Sequence, residues 1–325
     1  MELSNYVFAA PEMVLTGLIC VVLIADLYVD ENNRGITFLL ALASLAVTFI
    51  VLLGSAPPRE VLVFSGAYVN DPFATILKAT AIIFVGVVFV YSRGYLVQND
   101  LHKGEFYTLG LFGLLGMMIM MSANSLLTMY LGLETLALSQ YALVAIDRNN
   151  LASAESAMKY FVLGAIASGS LLYGISWIYG VTGSLQFDGI AAAIAADPSI
   201  NGVGLWFGLA FLLVGIAFKF GAVPFHMWLP DVYNGARSPV TLYIASAPKL
   251  ASLALTFRIL VDGLGELHDV WDDMIMVIAV LSLLIGKIVA IAQTNIKRML
   301  AYSTIGHVGF MLLCVFTGTE QGYAA

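Results

Sequence analysis

The chain has 325 residues, of which 60% are hydrophobic and only 11% are charged, and its mean hydropathy is +0.93. A soluble domain carries about 25% charged residues, so this composition excludes a water-soluble globular protein and indicates an integral membrane protein. The formal net charge is −7 and no basic patch is present, which excludes nucleic acid as a ligand.

Apolar runs long enough to cross a bilayer as helices recur along the chain, a crossing needing roughly 20 residues. Ten are predicted, at residues 11–29, 35–54, 73–91, 106–121, 125–146, 159–180, 203–229, 240–261, 272–293 and 298–317. The predicted fold class is therefore all-α, a polytopic bundle of transmembrane helices. The N-terminus, MELSNYVFAAPE, lacks the basic region of a signal peptide, so the first run is expected to stay as a span. Residues 184–201 are expected to form a loop with a short interfacial helix.

Lysine and arginine are distributed unevenly between the connections, and this distribution predicts the orientation of the chain. The odd-numbered connections hold Arg34, Arg93, Lys103, Arg148, Arg237, Lys297 and Arg298. The even-numbered connections hold only Arg59. We therefore expect the odd connections to face the cytoplasm, or the equivalent compartment, and the N-terminus to face outward.

Three ionisable residues lie near the middle of predicted spans, where a charge costs about 2.5–3.5 kcal/mol. They are Glu134, Lys219 and Lys249. An ionisable residue within a membrane marks a pathway for ions or protons by default, and a carboxylate and an ammonium stabilise each other's charged forms at low dielectric. The three residues are therefore predicted to transfer protons. The alternative is a static buried ion pair that only fixes the helix register.

Other charges in the apolar runs lie closer to the ends of the runs. Lys78, Arg258 and Asp26 are expected to be anchors, because their side chains can reach the interface from there. For Lys287 both an anchoring and a functional role stay open.

Two prolines stand beside two of the central lysines. Pro224 follows Lys219 by five residues, and Pro248 directly precedes Lys249. A proline inside a helix removes a backbone hydrogen bond, and transporters place broken helices beside the site of the carried ion. We therefore predict a seventh helix broken by Pro224, in which the opened backbone allows Lys219 to be charged.

Histidines supply two weaker candidates for proton transfer. His226 follows the predicted break and His307 lies in the tenth run, and either can pass protons near neutral pH or serve as a structural residue. No cofactor or metal is predicted in this chain, because Cys20, Cys314 and the four histidines lack ligand spacing and no nucleotide-binding motif occurs.

Five motifs carry a resemblance to a known family. They are YLGLETLALSQYALVA (130–145), SAMKYFVLGAIASG (156–169), FKFGAVPFHMWLPDVYNGARSPVT (218–241), SAPKLA (246–251) and AQTNIKRMLAYSTIGHVGF (292–310). Together they resemble the antiporter-like membrane subunits of respiratory complex I, and VPFHMWLPDVYNGARSPV is similar to the N-type subunits of bacterial NADH–quinone oxidoreductase, the counterparts of mitochondrial subunit 2.

The resemblance implies a proton-pumping subunit of a large redox complex. It implies that Glu134 in the fifth helix pairs with Lys219 in the broken seventh helix, and that Lys249 in the eighth links onward. Lys159, His226 and Lys297 match further family positions. NAD, FMN, iron–sulfur clusters and quinone are then expected in partner subunits, and the expected neighbours are M- and K-type membrane subunits and the quinone-site subunits.

The family also implies an arrangement in repeats. Three leading helices are expected in residues 1–105, a first five-helix repeat in 106–262 and the start of a second, inverted repeat in 272–325. Members usually have about fourteen helices, so about ten spans would leave the second repeat incomplete, and we expect the chain to be a fragment of a longer product.

Two other functions fit the same residues. A stand-alone or Mrp-type cation/proton antiporter subunit would use the same buried charges without redox partners. A structural scaffold would use the ion pair only to hold helices together.

Overall fold

The structure, a computed structural model, describes residues 4–30, 33–197 and 200–324. Its α-helices are α1 (Ser4–Phe8), α2 (Ala10–Tyr28), α3 (Gly35–Gly54), α4 (Pro72–Gln98), α5 (Gly104–Met121), α6 (Leu126–Val144), α7 (Leu151–Thr182), α8 (Phe187–Ala196), α9 (Val203–Phe220), α10 (Trp228–Gly235), α11 (Ser238–Ala245), α12 (Ala247–Thr256), α13 (His268–Ala292), α14 (Ile296–Phe316) and α15 (Glu320–Ala324). A π-helical segment, Phe257–Gly263, and a short 3₁₀ turn, Gly265–Leu267, join α12 to α13.

The all-α transmembrane architecture is confirmed. Within the described residues, nine helical segments are long and apolar enough to cross a membrane, and they coincide with nine of the ten predicted runs. The remaining predicted run, 125–146, is the helix α6, which falls outside the nine because Glu134 and several hydroxyl and amide side chains lower its hydropathy. The predicted short helix in 184–201 is α8.

A small β-hairpin between α3 and α4 is an element that the hydrophobic pattern did not predict. Strands β1 (Val61–Val63) and β2 (Tyr68–Asn70) pair antiparallel. The turn between them contains Phe64 and Ser65 in the left-handed region, at φ 55° and 56°. A three-residue strand is too short for its alternation to stand out from the surrounding loop, which explains why the pattern missed it.

The chain divides into two compact units. The first comprises Met1–Ala157 and Arg237–Ala254, and the second comprises Met158–Ala236 and Leu255–Ala325. The repeat boundaries expected from the family resemblance stay a prediction.

Helix α5 is the centre of the first unit, and its close neighbours explain its glycines. It is apolar on all sides and buried along most of its length, as expected for a helix surrounded by others. A side chain at Gly116 would come within 2.6 Å of the Leu136 backbone nitrogen on α6, and one at Gly132 within 2.9 Å of the Gly116 carbonyl. The backbones of α5 and α6 therefore touch, as small residues allow between membrane helices.

Candidate functional site

Glu134 lies in the first unit, in the middle of α6, and is half buried. The helix begins at Ser125, whose hydroxyl accepts a hydrogen bond from the Leu127 amide at 3.3 Å. Tyr141 lies close enough to Glu134 for electrostatic interaction. Glu134 therefore lies near the middle of its helix, as the sequence predicted.

Lys249 also lies in the first unit, and the helix that carries it is interrupted as its proline predicts. Helix α11 ends at Ala245, Ser246 has a non-helical backbone at φ −104° and ψ −104°, and α12 begins at Ala247. The Ser246 hydroxyl donates to the carbonyls of Leu242 (2.9 Å) and Tyr243 (3.1 Å), which satisfies part of the helix end. Lys249 is half buried and lies about one helical turn after Ser246.

Lys219 lies in the second unit, in the last turn of α9, and is 8% exposed. The helix ends at Phe220, and Gly221 follows in the left-handed conformation at φ 72°, where a side chain would also collide with Leu229. A cation at a helix C-terminus is favoured by the helix dipole. The predicted break is therefore present, but glycine ends the helix three residues before Pro224 is reached.

The interrupted segment 221–227 is held by specific contacts within the second unit. The Val223 amide donates to the Ser282 hydroxyl on α13 at 2.9 Å, and the Trp228 indole donates to the Phe218 carbonyl at 2.9 Å. The Trp228 ring also stacks on Tyr160 of α7, with 4.5 Å between ring centroids. These contacts replace helix hydrogen bonds lost at the break, which a membrane protein must do wherever water is absent.

The two histidine candidates have different surroundings. His226 lies within the interrupted segment 221–227, is half buried, and has its ring 6.3 Å from that of Tyr302. Its Nδ1 atom is buried and has no hydrogen-bond partner in the described part of the chain. His307 is exposed on α14. Of the two, His226 lies closer in sequence to Lys219, and its side chain is the more buried.

Lys159 belongs to a charge cluster that the sequence pattern did not reveal. Its ammonium lies 3.0 Å from the Asp231 carboxylate on α10, and Arg298 of α14 donates to the other oxygen of the same carboxylate. Asp231 stands in the quoted motif WLPD, yet only the fold brings the two cations to it, from 72 and 67 residues away in sequence.

Lys297, the remaining candidate, donates a hydrogen bond at the end of a helix. Its ammonium donates to the Ala236 carbonyl at 2.8 Å, next to the C-terminus of α10. In the first unit, Arg237 forms an ion pair with Asp147, with the guanidinium Nε 2.7 Å from the carboxylate. Both contacts hold the short connection between α10 and α11.

Lys78 is not an interfacial anchor, so this prediction was wrong. Its side chain is 1% exposed and lies 2.5 Å from the carboxylate of Glu12 on α2. Arg258, a second predicted anchor, is also buried, at 7% exposed, and pairs with Asp262 at 3.0 Å. The third, Asp26, is partly buried and accepts a hydrogen bond from Thr37 at 2.7 Å. Snorkelling was expected from position along the helix alone, which takes no account of neighbouring elements.

The candidate residues divide between the two units. Glu134 and Lys249 belong to the first, whereas Lys219, Lys159, His226, Lys297 and His307 belong to the second. The Glu134–Lys219 pairing therefore stays a prediction. Over residues 4–30, 33–197 and 200–324, no group of three or more His, Cys, Asp or Glu side chains is arranged to hold a metal ion.

Comparison with known proteins identifies relatives of the whole chain. The family described as NADH:quinone oxidoreductase/Mrp antiporter, TM, matches residues 123–325. NADH-quinone oxidoreductase subunit N of Thioalkalivibrio sulfidiphilus is 51% identical over 324 residues, which are 100% of this chain and 68% of the relative. The chain thus spans about two thirds of that relative's length.

Solved structures agree with this relationship. A chain of respiratory complex I from Thermus thermophilus with bound aureothin superposes with a TM-score of 0.80 at 30% identity, covering 96% of this chain and 66% of that one. A chain of the Mrp complex from Dietzia sp. shares the fold, with a TM-score of 0.80 at 20% identity over 97% of this chain and 59% of that chain. The chain therefore belongs to the NADH:quinone oxidoreductase/Mrp antiporter family of membrane proteins, on the branch of the NADH-quinone oxidoreductase N subunits.

Proposed function

We propose that the chain moves protons across the membrane as one subunit of a NADH–quinone oxidoreductase, with Glu134, Lys219 and Lys249 as the proton-carrying residues. The observation that carries this proposal is the placement of two lysines beside two interruptions of apolar helices. Lys219 lies in the last turn before the gap 221–227, and Lys249 lies in the first turn after the break at Ser246. The name of the relatives supplies the redox reaction to which the transfer is coupled.

The chemistry of lysine explains why such a position suits proton transfer. A desolvated ammonium loses its proton more readily than one in water, and a nearby carboxylate opposes that loss. A helix interruption exposes backbone carbonyls and amides that can hold water beside the lysine. The proposed role of Glu134 is to stabilise or release the charge of a lysine by approaching or withdrawing.

The proposed route begins on the side of the Lys- and Arg-rich connections. Lys159, beside Asp231, and Lys297, at the end of α10, stand at this entry, and His226 and His307 are secondary carriers. The proton then reaches Lys219 and moves on to Lys249. These roles rest on the resemblance and, for Lys159 and Lys297, on their polar contacts with Asp231 and Ala236.

The wider setting is proposed by analogy with the relatives. NADH, flavin, iron–sulfur clusters and quinone are handled by partner subunits, and this chain holds no cofactor of its own. Its neighbours are M- and K-type membrane subunits, in a bacterial inner membrane with the N-terminus outside.

Replacing Lys219 tests the proposal. In the assembled complex in inverted membrane vesicles, Lys219→Ala should lower NADH-driven proton uptake by about tenfold or more, since a carrier of the proton is lost. Complex content, measured by native gel, should stay near wild type. Lys103→Ala, which alters a lysine outside the spans, is the matched control and should leave uptake unchanged.

Normal proton uptake in Lys219→Ala would contradict the proposal, and normal uptake in Glu134→Gln as well would favour a scaffold. Sodium-for-proton exchange by the isolated full-length subunit, without NADH, would favour a stand-alone antiporter instead.

A further inference from the structure

Three ionisable side chains form a closed ring in the first unit. The elements that carry them are not the ones that carry Glu134 and Lys249. Glu12 of α2, Tyr68 of β2 and Lys78 of α4 meet there. The Lys78 ammonium lies 2.5 Å from Glu12 Oε1 and donates to the Tyr68 hydroxyl at 2.8 Å, and that hydroxyl donates to Glu12 Oε2 at 2.9 Å. Each group therefore contacts both of the others.

The hairpin covers this ring. The Asn70 amide of β2 donates to the carbonyls of Phe8 and Ser55 at 3.2 and 3.3 Å, and the Val69 amide donates to the Ser122 carbonyl at the end of α5 at 2.8 Å. Glu12, Tyr68 and Lys78 are 7%, 6% and 1% exposed. The ring is thus enclosed by elements of one unit.

A buried ion pair by itself is weak support for a functional site, because many such pairs only hold a fold together. Here further polar atoms are buried beside it. The Ser122 side chain interacts with the Tyr68 phenol, and the side-chain amide oxygen of Asn70 is buried with no hydrogen-bond partner among the described residues. Buried polar atoms of this kind are usually satisfied by water, which gives the ring a means of exchanging protons.

The direction of the hydrogen bonds suits a relay through the tyrosine. Burial raises the pKa of Tyr68 to about 12, so its hydroxyl stays protonated at neutral pH. The hydroxyl can then take a proton from the Lys78 ammonium while it passes its own proton to the Glu12 carboxylate. The products are a neutral amine and a carboxylic acid, and the tyrosine is unchanged. The charged and neutral forms of the Lys78–Glu12 pair differ by the transfer of one proton from Lys78 to Glu12. Both forms therefore have the same net charge.

We propose that Glu12, Tyr68 and Lys78 form a second proton-holding centre, which takes a proton on the Lys78 amine and releases one from the Glu12 carboxyl group. The inference rests on the proposed function, since it needs protons to be moved by the chain. The other charged residues near this end of the surrounding elements are Arg59 and Glu60, which are exposed, and Asp71, which accepts from the Ala74 amide at 2.8 Å as the cap of α4. None of these is part of the ring.

The experiment uses an arginine at position 78. Lys78→Arg keeps the positive charge and the ion pair, but a guanidinium does not release its proton in proteins. In the assembled complex, this variant should lower NADH-driven proton uptake by about tenfold or more at normal complex content. Lys103→Arg is the matched control and should leave uptake unchanged. Tyr68→Phe, which removes the relay hydroxyl and keeps both charges, should reduce uptake in the same way.

Normal uptake in both Lys78→Arg and Tyr68→Phe would overturn the centre and leave a static structural ring. Lys219→Ala measured in parallel separates the two proposals: if it blocks uptake while the other variants do not, only the second centre fails, and if it does not block uptake, the proposed function fails. A protonated-carboxyl band in the infrared spectrum that disappears in Glu12→Gln would support the centre independently of pumping.

Discussion

Asp231 balances two cations at one end of the second unit. Lys159 comes from α7 and Arg298 from α14, and both lie against the same carboxylate on the short helix α10. The pair with Lys159 is partly in solvent, with side chains 45% and 30% exposed, so its stabilisation is small, of the order of 1 kcal/mol or less. It links α7 to α10, the helix that follows the interruption.

This arrangement predicts a coupling between two substitutions. Lys159→Met should lower the melting temperature of the solubilised complex in the wild-type background, because Asp231 loses a counter-charge. In an Asp231→Asn background the same change should have a clearly smaller effect, since contacting residues are not additive. Equal effects in the two backgrounds would show that the ion pair contributes nothing.

The residues of the candidate site were predictable only in part. Glu134, Lys219 and Lys249 were found because a charge in an apolar run is conspicuous. Glu12 and Asp231 were missed because an acidic residue close to a helix end or a loop looks like an ordinary solvated group until the fold supplies its partner. Lys78 was misread for the same reason, since only the hairpin makes its position inaccessible.

At the scale of elements, the interrupted segment 221–227 after α9 depends on hydrogen bonds from neighbouring elements. Ser282 accepts from the Val223 amide and donates to the Ile278 carbonyl of its own helix at 2.7 Å. A buried amide left without a partner costs about 1–3 kcal/mol. One hydroxyl on α13 therefore contributes to how firmly the segment after Lys219 is held.

Ser282→Ala is expected to loosen this segment. Amide hydrogen exchange at Val223 should become roughly tenfold faster, which corresponds to the loss of about 1.4 kcal/mol, while helices elsewhere keep their protection. Ser44→Ala is the matched control, because the buried Ser44 hydroxyl donates only within its own helix, to Leu40 at 2.8 Å. Unchanged exchange at Val223 would mean that other contacts hold the segment.

The elements themselves were the most predictable part of the molecule. Long apolar runs forced helices wherever they occurred, and the prolines correctly marked two interruptions. What the pattern could not supply was the residue at which a helix stops, since Gly221 rather than Pro224 ends α9. It also could not supply the hairpin, whose strands are too short to show a period.

At the scale of the whole molecule, the uneven distribution of Lys and Arg predicts an orientation that can be measured. In a chain whose two native cysteines are replaced, Glu60→Cys should react with a membrane-impermeant maleimide added to intact cells, because the connection after α3 is expected outside. Asn149→Cys, in the connection after α6, should react only after the cells are opened. Both residues are exposed in the structure. The reverse pattern would invert the proposed topology and the direction of the proposed proton route.

The glycine contact between α5 and α6 has a bearing on how Glu134 can act. Because the backbones are in contact at Gly116 and Gly132, α6 has little room to slide or roll against α5. Glu134 stands two residues beyond Gly132, so we expect its Cα atom to move little relative to α5. We then expect a change in the distance from its carboxylate to another charge to come from rotation about its own side-chain bonds, or from movement of the other group.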